Sequence, residues 1–71
     1  MKTYEQRLKE FVFDVLGDMI DPSNTRIAPD RRTGGWRVIV LNPGNIPPEM
    51  LWDEWDVQTK GTEFENVPLF I

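Results

Sequence analysis

The amino-acid sequence predicts a small α+β domain in the order α-β-β-α-β, with an N-terminal helix packed on a short antiparallel sheet. Three observations lead to this fold class. Apolar residues recur at helical spacing near the start, two apolar runs flank a glycine-containing loop in the middle, and a segment that begins with prolines precedes a last apolar run. Helical and alternating periodicities in separate segments are typical of α+β domains.

The first helix is predicted to run from about Thr3 to Ile20. Thr3 and Gln6 have the spacing of a capping box, in which each side chain satisfies a backbone N–H of the first turn. Gly17 costs a helix about 1 kcal/mol relative to alanine. The apolar phase continues beyond this glycine, however, so we expect Asp21-Pro22 to end the helix. Its apolar face consists of Tyr4, Leu8, Phe11, Val12, Val15, Leu16 and Met19.

Two strands are predicted next, near Thr25–Ala28 and Trp36–Leu41, because the second run is rich in β-branched and aromatic residues. The loop from Asp30 to Gly35 contains two glycines, which permit the positive φ that hairpin turns require. Pro29 cannot donate a ladder hydrogen bond, so the first strand is short or lies at a sheet edge.

The C-terminal half is predicted to hold a short helix and a last strand. The segment 42–45, Asn-Pro-Gly-Asn, breaks the chain, and Pro48 suits the first position of a helix of about two turns. Val57–Thr59 is expected to be a brief extended piece. Gly61 marks a turn, and Phe64–Phe70 alternates as a strand does.

Length and composition limit the classes of protein. Seventy-one residues form one domain, residues 1–71, and 39% apolar with 28% charged residues indicates a folded chain. There is no Cys and no His, so disulfides and zinc sites with thiolate or imidazole ligands are excluded. The usual general base is also missing, and the carboxylates of Asp14 and Asp18, one turn apart on the first helix, are expected to be solvated. No apolar run approaches the length of a membrane span, and the N-terminus lacks the apolar core of a signal peptide. We therefore expect a cytoplasmic protein without a cofactor, a metal or catalytic residues.

The charges are unevenly distributed along the chain. Residues 24–42 carry four arginines against one aspartate, whereas residues 43–71 carry one lysine against six acidic residues. Arginine binds phosphate in bidentate fashion and an indole stacks on a base. A nucleic-acid-binding hairpin is therefore one alternative function, with its site formed by Arg26, Arg31, Arg32, Trp36 and Arg37. The net charge of −4 opposes it, and we expect instead that Trp36 belongs to the core.

The segment from Trp52 to Asp56 combines two indoles with three carboxylates. Aromatic anchors and charge are typical of protein interfaces. We expect one indole to be buried and the other partly exposed, with Phe13 at the edge of the first helix's apolar face contributing. The predicted function is a protein–protein interaction module, an accessory or inhibitory protein of bacterial, phage or mobile-element type that docks on a larger partner, with a homodimer as an alternative. The predicted site is Trp52, Asp53, Glu54, Trp55, Asp56 and Phe13.

Two short segments resemble known binding motifs. Trp52–Asp56 resembles the tryptophan-acidic peptides that cargo adaptors recognise. Val67, Leu69 and Phe70 resemble the motif with which bacterial proteins dock on the replicative sliding clamp, although Asn66 stands where that motif has Gln. The alternative for residues 66–71 is a core strand. The acidic residues of 43–71 also resemble those of small phage inhibitors that mimic nucleic acid.

The composition leads to a prediction about metals and thiols. Because the chain has no soft or imidazole ligands and no thiol, EDTA and reductants should leave the far-UV circular dichroism spectrum unchanged. A loss of helical signal with EDTA that added calcium or magnesium restores would reveal a carboxylate metal site and contradict this expectation.

Overall fold

In the described part of the chain, two helices and three strands follow one another in the predicted order, which confirms the α+β fold class. The computed structural model describes residues 1–41 and 44–71. Asn42 and Pro43, where the sequence predicts an interruption of secondary structure, lie outside the described residues. The elements are α1 (Tyr4–Leu16), a 3₁₀ turn (Pro22–Asn24), β1 (Thr25–Asp30), β2 (Gly35–Val40), α2 (Pro48–Thr59) and β3 (Leu69–Phe70).

Helix α1 begins as predicted but ends earlier. Thr3 and Gln6 form the reciprocal capping box. The helix ends at Leu16, whose carbonyl accepts hydrogen bonds from both Met19 and Ile20. This tightened turn also explains Gly17, since a Cβ at this position would collide with the Phe13 carbonyl oxygen. The predicted extension to Ile20 is therefore wrong.

The β1–β2 hairpin is longer than predicted on its first strand, since β1 continues to Asp30. Residues 31–34 form the turn, and Gly34 has φ of 75°, a conformation that favours glycine. Leu41 N–H donates to the Asn24 carbonyl. In an antiparallel pair, alternate residues point their backbone groups away from the partner, which places the missing N–H of Pro29 at the free edge.

The C-terminal elements differ most from the prediction. Helix α2 includes Val57–Thr59 and has twelve residues, so the predicted extended piece is wrong. Thr59, the last residue of α2, is buried, and its hydroxyl donates to the Trp55 carbonyl one turn earlier. This bond satisfies the hydroxyl inside the core. Of the predicted strand Phe64–Phe70, only Leu69–Phe70 is a strand, because residues 62–66 form turns that place Phe64 in the core.

The sheet has the order β1-β2-β3 and is mixed rather than antiparallel. β1 and β2 are antiparallel, whereas β3 runs parallel to β2, with Val38 opposite Leu69 and Ile39 opposite Phe70. A parallel neighbour requires a crossover connection, and α2 with the turns after it supplies this connection. Strands β1 and β3 are therefore the two edges of the sheet.

The two sheet faces have different surroundings. One face directs Val38, Val40 and Leu69 into a core that both helices complete. The core residues are Leu8, Val12, Leu16, Ile20, Val38, Val40, Leu51, Trp55, Phe64, Val67 and Leu69. The other face, here called the open face, carries Arg26, Ala28, Arg37, Ile39 and Phe70. None of these five side chains is fully buried, and Ile39 and Phe70 lie outside the core.

Polar contacts attach the chain segments that flank the core. The Tyr4 hydroxyl donates to the Glu63 carbonyl, and burial, followed by the Glu63 charge, raises the pKa of Tyr4 above its ordinary value. Asp21 caps the 3₁₀ turn by accepting hydrogen bonds from the Ser23 N–H and hydroxyl, which hold the pKa of Asp21 below its ordinary value.

The core leads to a stability prediction. Leu16 is fully buried, so Leu16→Ala removes buried methyl groups, leaves a cavity and should lower the free energy of unfolding by about 2–5 kcal/mol. Urea denaturation followed by circular dichroism measures the change. Asp14→Ala on the exposed side of α1 is the control, with an expected change within about 0.5 kcal/mol. Equal midpoints for the two variants would contradict the packing described.

Candidate functional site

The predicted tryptophan-acid segment lies in the middle of α2. Pro48 starts the helix and Glu49 occupies its first turn, where the positive end of the helix dipole stabilises a carboxylate. Trp55 is 2% exposed and belongs to the core, whereas Trp52 is 43% exposed. One buried and one partly exposed indole is the distribution that the sequence predicts.

The two indoles hold the C-terminal strand. Trp55 Nε1 donates to the Val67 carbonyl at 2.8 Å, and Trp52 Nε1 donates to the Leu69 carbonyl at 2.9 Å. Residues two apart on a strand point their carbonyls to the same side. Since the neighbouring Pro68 carbonyl accepts from Val38 N–H of β2, the Leu69 carbonyl points away from the sheet. We call Trp52 and Trp55 the indole pair, and it occupies the outer edge of β3.

Phe13 does not join this segment. Phe13 is half-buried beside β1 and lines a groove of about 370 Å³ with Thr25 and Ile27. Trp52 bonds to β3, and β1 and β3 are opposite edges of the sheet. The structure therefore brings Trp52, Asp53, Glu54, Trp55 and Asp56 together in one helix but places Phe13 at the other side of the molecule.

The outward side of α2, here called the outer face, contains residues that sequence reasoning missed. Met50 is 54% exposed and Val57 is 71% exposed. With about 100° per residue, these two residues lie on one flank and Trp52 on the other. The exposed carboxylates of Glu49, Asp53 and Asp56 lie between the two flanks. The sequence feature that could have revealed them is the seven-residue spacing of Met50 and Val57, which places both on one side of a helix. The predicted helix of about two turns ends before Val57, so it does not include this spacing.

The arginines of the alternative site are partly brought together. Arg26 and Arg37 lie on the open face, and a hollow of about 250 Å³ is lined by Pro29, Asp30, Arg31, Arg32 and Arg37. Trp36 is opposite Pro29 and packs against the core, so it points away from Arg37. The aromatic neighbour of Arg37 is instead Phe70, since the Arg37 guanidinium carbon lies 5.7 Å from the Phe70 ring centroid.

The segment that resembles a sliding-clamp motif is part of the fold. Val67 and Leu69 are buried, and Leu69 and Phe70 form β3. In this conformation the two aliphatic side chains of the motif are core residues, which corresponds to the core-strand alternative.

Within residues 1–41 and 44–71, no three side chains of the Asp, Glu, His or Cys type are grouped as metal ligands. In the same ranges neither helix has the length and apolar character needed to cross a bilayer.

Comparison of the chain with protein-family models, curated proteins and solved structures finds no match.

The indole pair leads to a prediction that separates its two members. Trp55→Phe keeps an aromatic side chain, although a smaller one, and leaves the buried Val67 carbonyl without its donor, which should lower the free energy of unfolding by about 1–3 kcal/mol. Trp52→Phe should cost less, about 1 kcal/mol or below, because its hydrogen bond to the Leu69 carbonyl is only partly buried and water can replace the lost donor. Urea titration of both variants measures the difference. An equal cost would contradict the different burial of the two bonds.

Proposed function

We propose that this chain is a non-catalytic protein–protein interaction module that docks on a larger partner through the outer face of α2. The observation that carries the proposal is the composition of this face. It combines three exposed large apolar side chains, Met50, Trp52 and Val57, with several carboxylates. Apolar anchors surrounded by charge are typical of protein interfaces.

The comparison of the two helices supports this choice. α2 contains no lysine or arginine, so its outer face has one sign of charge. The exposed residues of α1 are charged or polar, with both signs represented by Lys9 and Glu10, as expected of a solvated helix surface. A purely structural role of α2 explains the burial of Leu51 and Trp55 but not the exposure of Met50 and Val57.

The surface also suits rapid and specific association. The bond from Trp52 to the Leu69 carbonyl fixes the indole before binding, which reduces the conformational entropy lost in the complex. The carboxylates indicate a partner with a basic surface around an apolar depression. The site proposed here retains Trp52, Asp53, Glu54 and Asp56, omits the buried Trp55 and the distant Phe13, and adds Glu49, Met50 and Val57. The cytoplasm is the proposed setting.

The test compares matched surface variants. Met50→Ser with Val57→Ser should leave the circular dichroism spectrum unchanged, because both side chains are exposed. The double variant should weaken binding to a partner captured from the native host by about 30-fold or more, equivalent to about 2 kcal/mol. Calorimetry with the purified partner measures the affinity.

Leu41→Ser, which removes an apolar side chain that is also exposed but follows β2, is the control and should bind as the wild type does. Sedimentation of the purified chain tests the homodimer alternative. A partner that binds the double variant and the wild type equally would show that another surface is used.

A further inference from the structure

The open face of the sheet is a second surface with a distinct charge. The arginines Arg26, Arg31, Arg32 and Arg37 all belong to β1, β2 or the turn between them. Of the twelve acidic residues, only Asp30 belongs to a strand or to this turn, and Asp30 is 4% exposed. The exposed charge of the hairpin is therefore positive, although the whole chain is negative.

These four arginines have no carboxylate partners in the described part of the chain. The ion pairs found in residues 1–41 and 44–71 join Lys2 to Glu10 and Arg7 to Glu63. Within the same ranges, no arginine side chain of the hairpin makes a hydrogen bond, and Arg37 Nε is buried without an acceptor. Asp30 Oδ2 in the same hollow is also buried without a partner, so the groups of the hollow that are open to a ligand are the exposed side chains of Arg31 and Arg32.

One arginine of the hairpin contacts an aromatic ring, and the others lie along the same two strands and their turn. Arg31, Arg32 and Arg37 line the hollow beside Asp30, and the Arg37 guanidinium lies over the Phe70 ring. Arg26, Ile39 and Phe70 are cross-strand neighbours in one row across all three strands. Cationic groups next to an aromatic ring on an exposed sheet match the requirements for binding phosphates and stacked bases together.

We propose that the open face, with the hollow at its end, binds single-stranded nucleic acid through Arg26, Arg31, Arg32, Arg37 and Phe70. The arginines contact phosphates, and the Phe70 ring with its guanidinium neighbour supplies the stacking surface. A single strand fits better than a duplex because this flat face has no helix to enter a major groove. This site is separate from the outer face of α2 and does not rest on the protein-docking proposal.

The net charge of −4 does not exclude this binding. Most carboxylates belong to the helices and their flanking turns, and the helices complete the core on the other side of the sheet. The exceptions are Asp30, which is buried in the hollow, and Glu5, which lines a groove together with Lys9 and Arg26. A layer packed on a sheet lies about 10 Å away, which exceeds the screening length of about 8 Å at physiological ionic strength. The repulsion is therefore weakened by salt, whereas the arginines contact the ligand directly.

Fluorescence anisotropy with labelled oligothymidine and oligouridine of about 12 nucleotides tests the proposal. We expect binding by the wild type that weakens at least tenfold between about 0.1 M and about 0.4 M salt, because phosphate contacts release counterions. The two oligonucleotides distinguish DNA from RNA as the preferred strand. A duplex of the same sequence and polyglutamate serve as the competing ligands, and both should bind more weakly.

Matched variants test the site. Arg31→Ala with Arg32→Ala should lower the affinity about tenfold and reduce the salt dependence, since each phosphate contact contributes to the slope. Lys2→Ala with Lys60→Ala changes the net charge equally but lies outside the hairpin, and should change the affinity less than about twofold. Phe70→Leu keeps an apolar residue in β3 while removing the stacking ring, and should lower the affinity without changing the salt slope. Circular dichroism verifies that each variant folds.

Three results would overturn the proposal. The first is no binding by the wild type at about 0.1 M salt, where electrostatic binding is strong. The second is an equal loss of affinity in the lysine and arginine variants, which would indicate a net-charge effect. The third is equally tight binding of the duplex or polyglutamate, which would indicate a general polyanion surface.

Discussion

The outer face of α2 and the open face of the sheet both depend on the hydrogen bonds from the indole pair to the carbonyls of Val67 and Leu69. Strand β3 has only two residues, too few for ladder hydrogen bonds alone to hold it. The indoles of α2 fix its outer edge while β2 fixes its inner edge. This placement directs Leu69 into the core and Phe70 to the open face, and it keeps Trp52 on the flank of α2.

The sequence predicts local features of the fold well and long-range features poorly. The capping box of Thr3 and Gln6, the proline start of α2 and the glycine turn depend on neighbouring residues, and all three are present. The early end of α1 was missed because the apolar spacing continues to Met19, whereas the tightened turn consists of backbone hydrogen bonds to the Leu16 carbonyl, which periodicity does not report. The parallel direction of β3 depends on contacts with residues about thirty positions away, so its alternating pattern could not reveal it.

The candidate sites show the same division. The alternation of side chains along β2 correctly places Trp36 on the core face and Ile39 on the open face. It could not reveal that Phe70 lies beside Arg37, because this contact depends on the register between β2 and β3. The unequal exposure of Trp52 and Trp55 follows from the limited core of a small domain, because their three-residue spacing by itself places both on one side of the helix. Phe13 was grouped with the two tryptophans because it lies at the edge of the apolar face of its helix. This position does not indicate how far Phe13 is from α2 in the folded chain.

The edges of the sheet also decide how the molecule can assemble. Pro29 removes a donor from the free edge of β1, and Arg26 adds a charge to the same strand, two devices that oppose pairing with another chain. At the opposite edge, indole groups already occupy the carbonyls that an incoming strand would need. Growth of the sheet by strand addition, the first step toward domain-swapped or fibrillar aggregates, is thus disfavoured at both ends. The sheet edges therefore leave the faces of the molecule as the surfaces open to a partner, where side-chain chemistry is selective, whereas backbone pairing accepts almost any sequence.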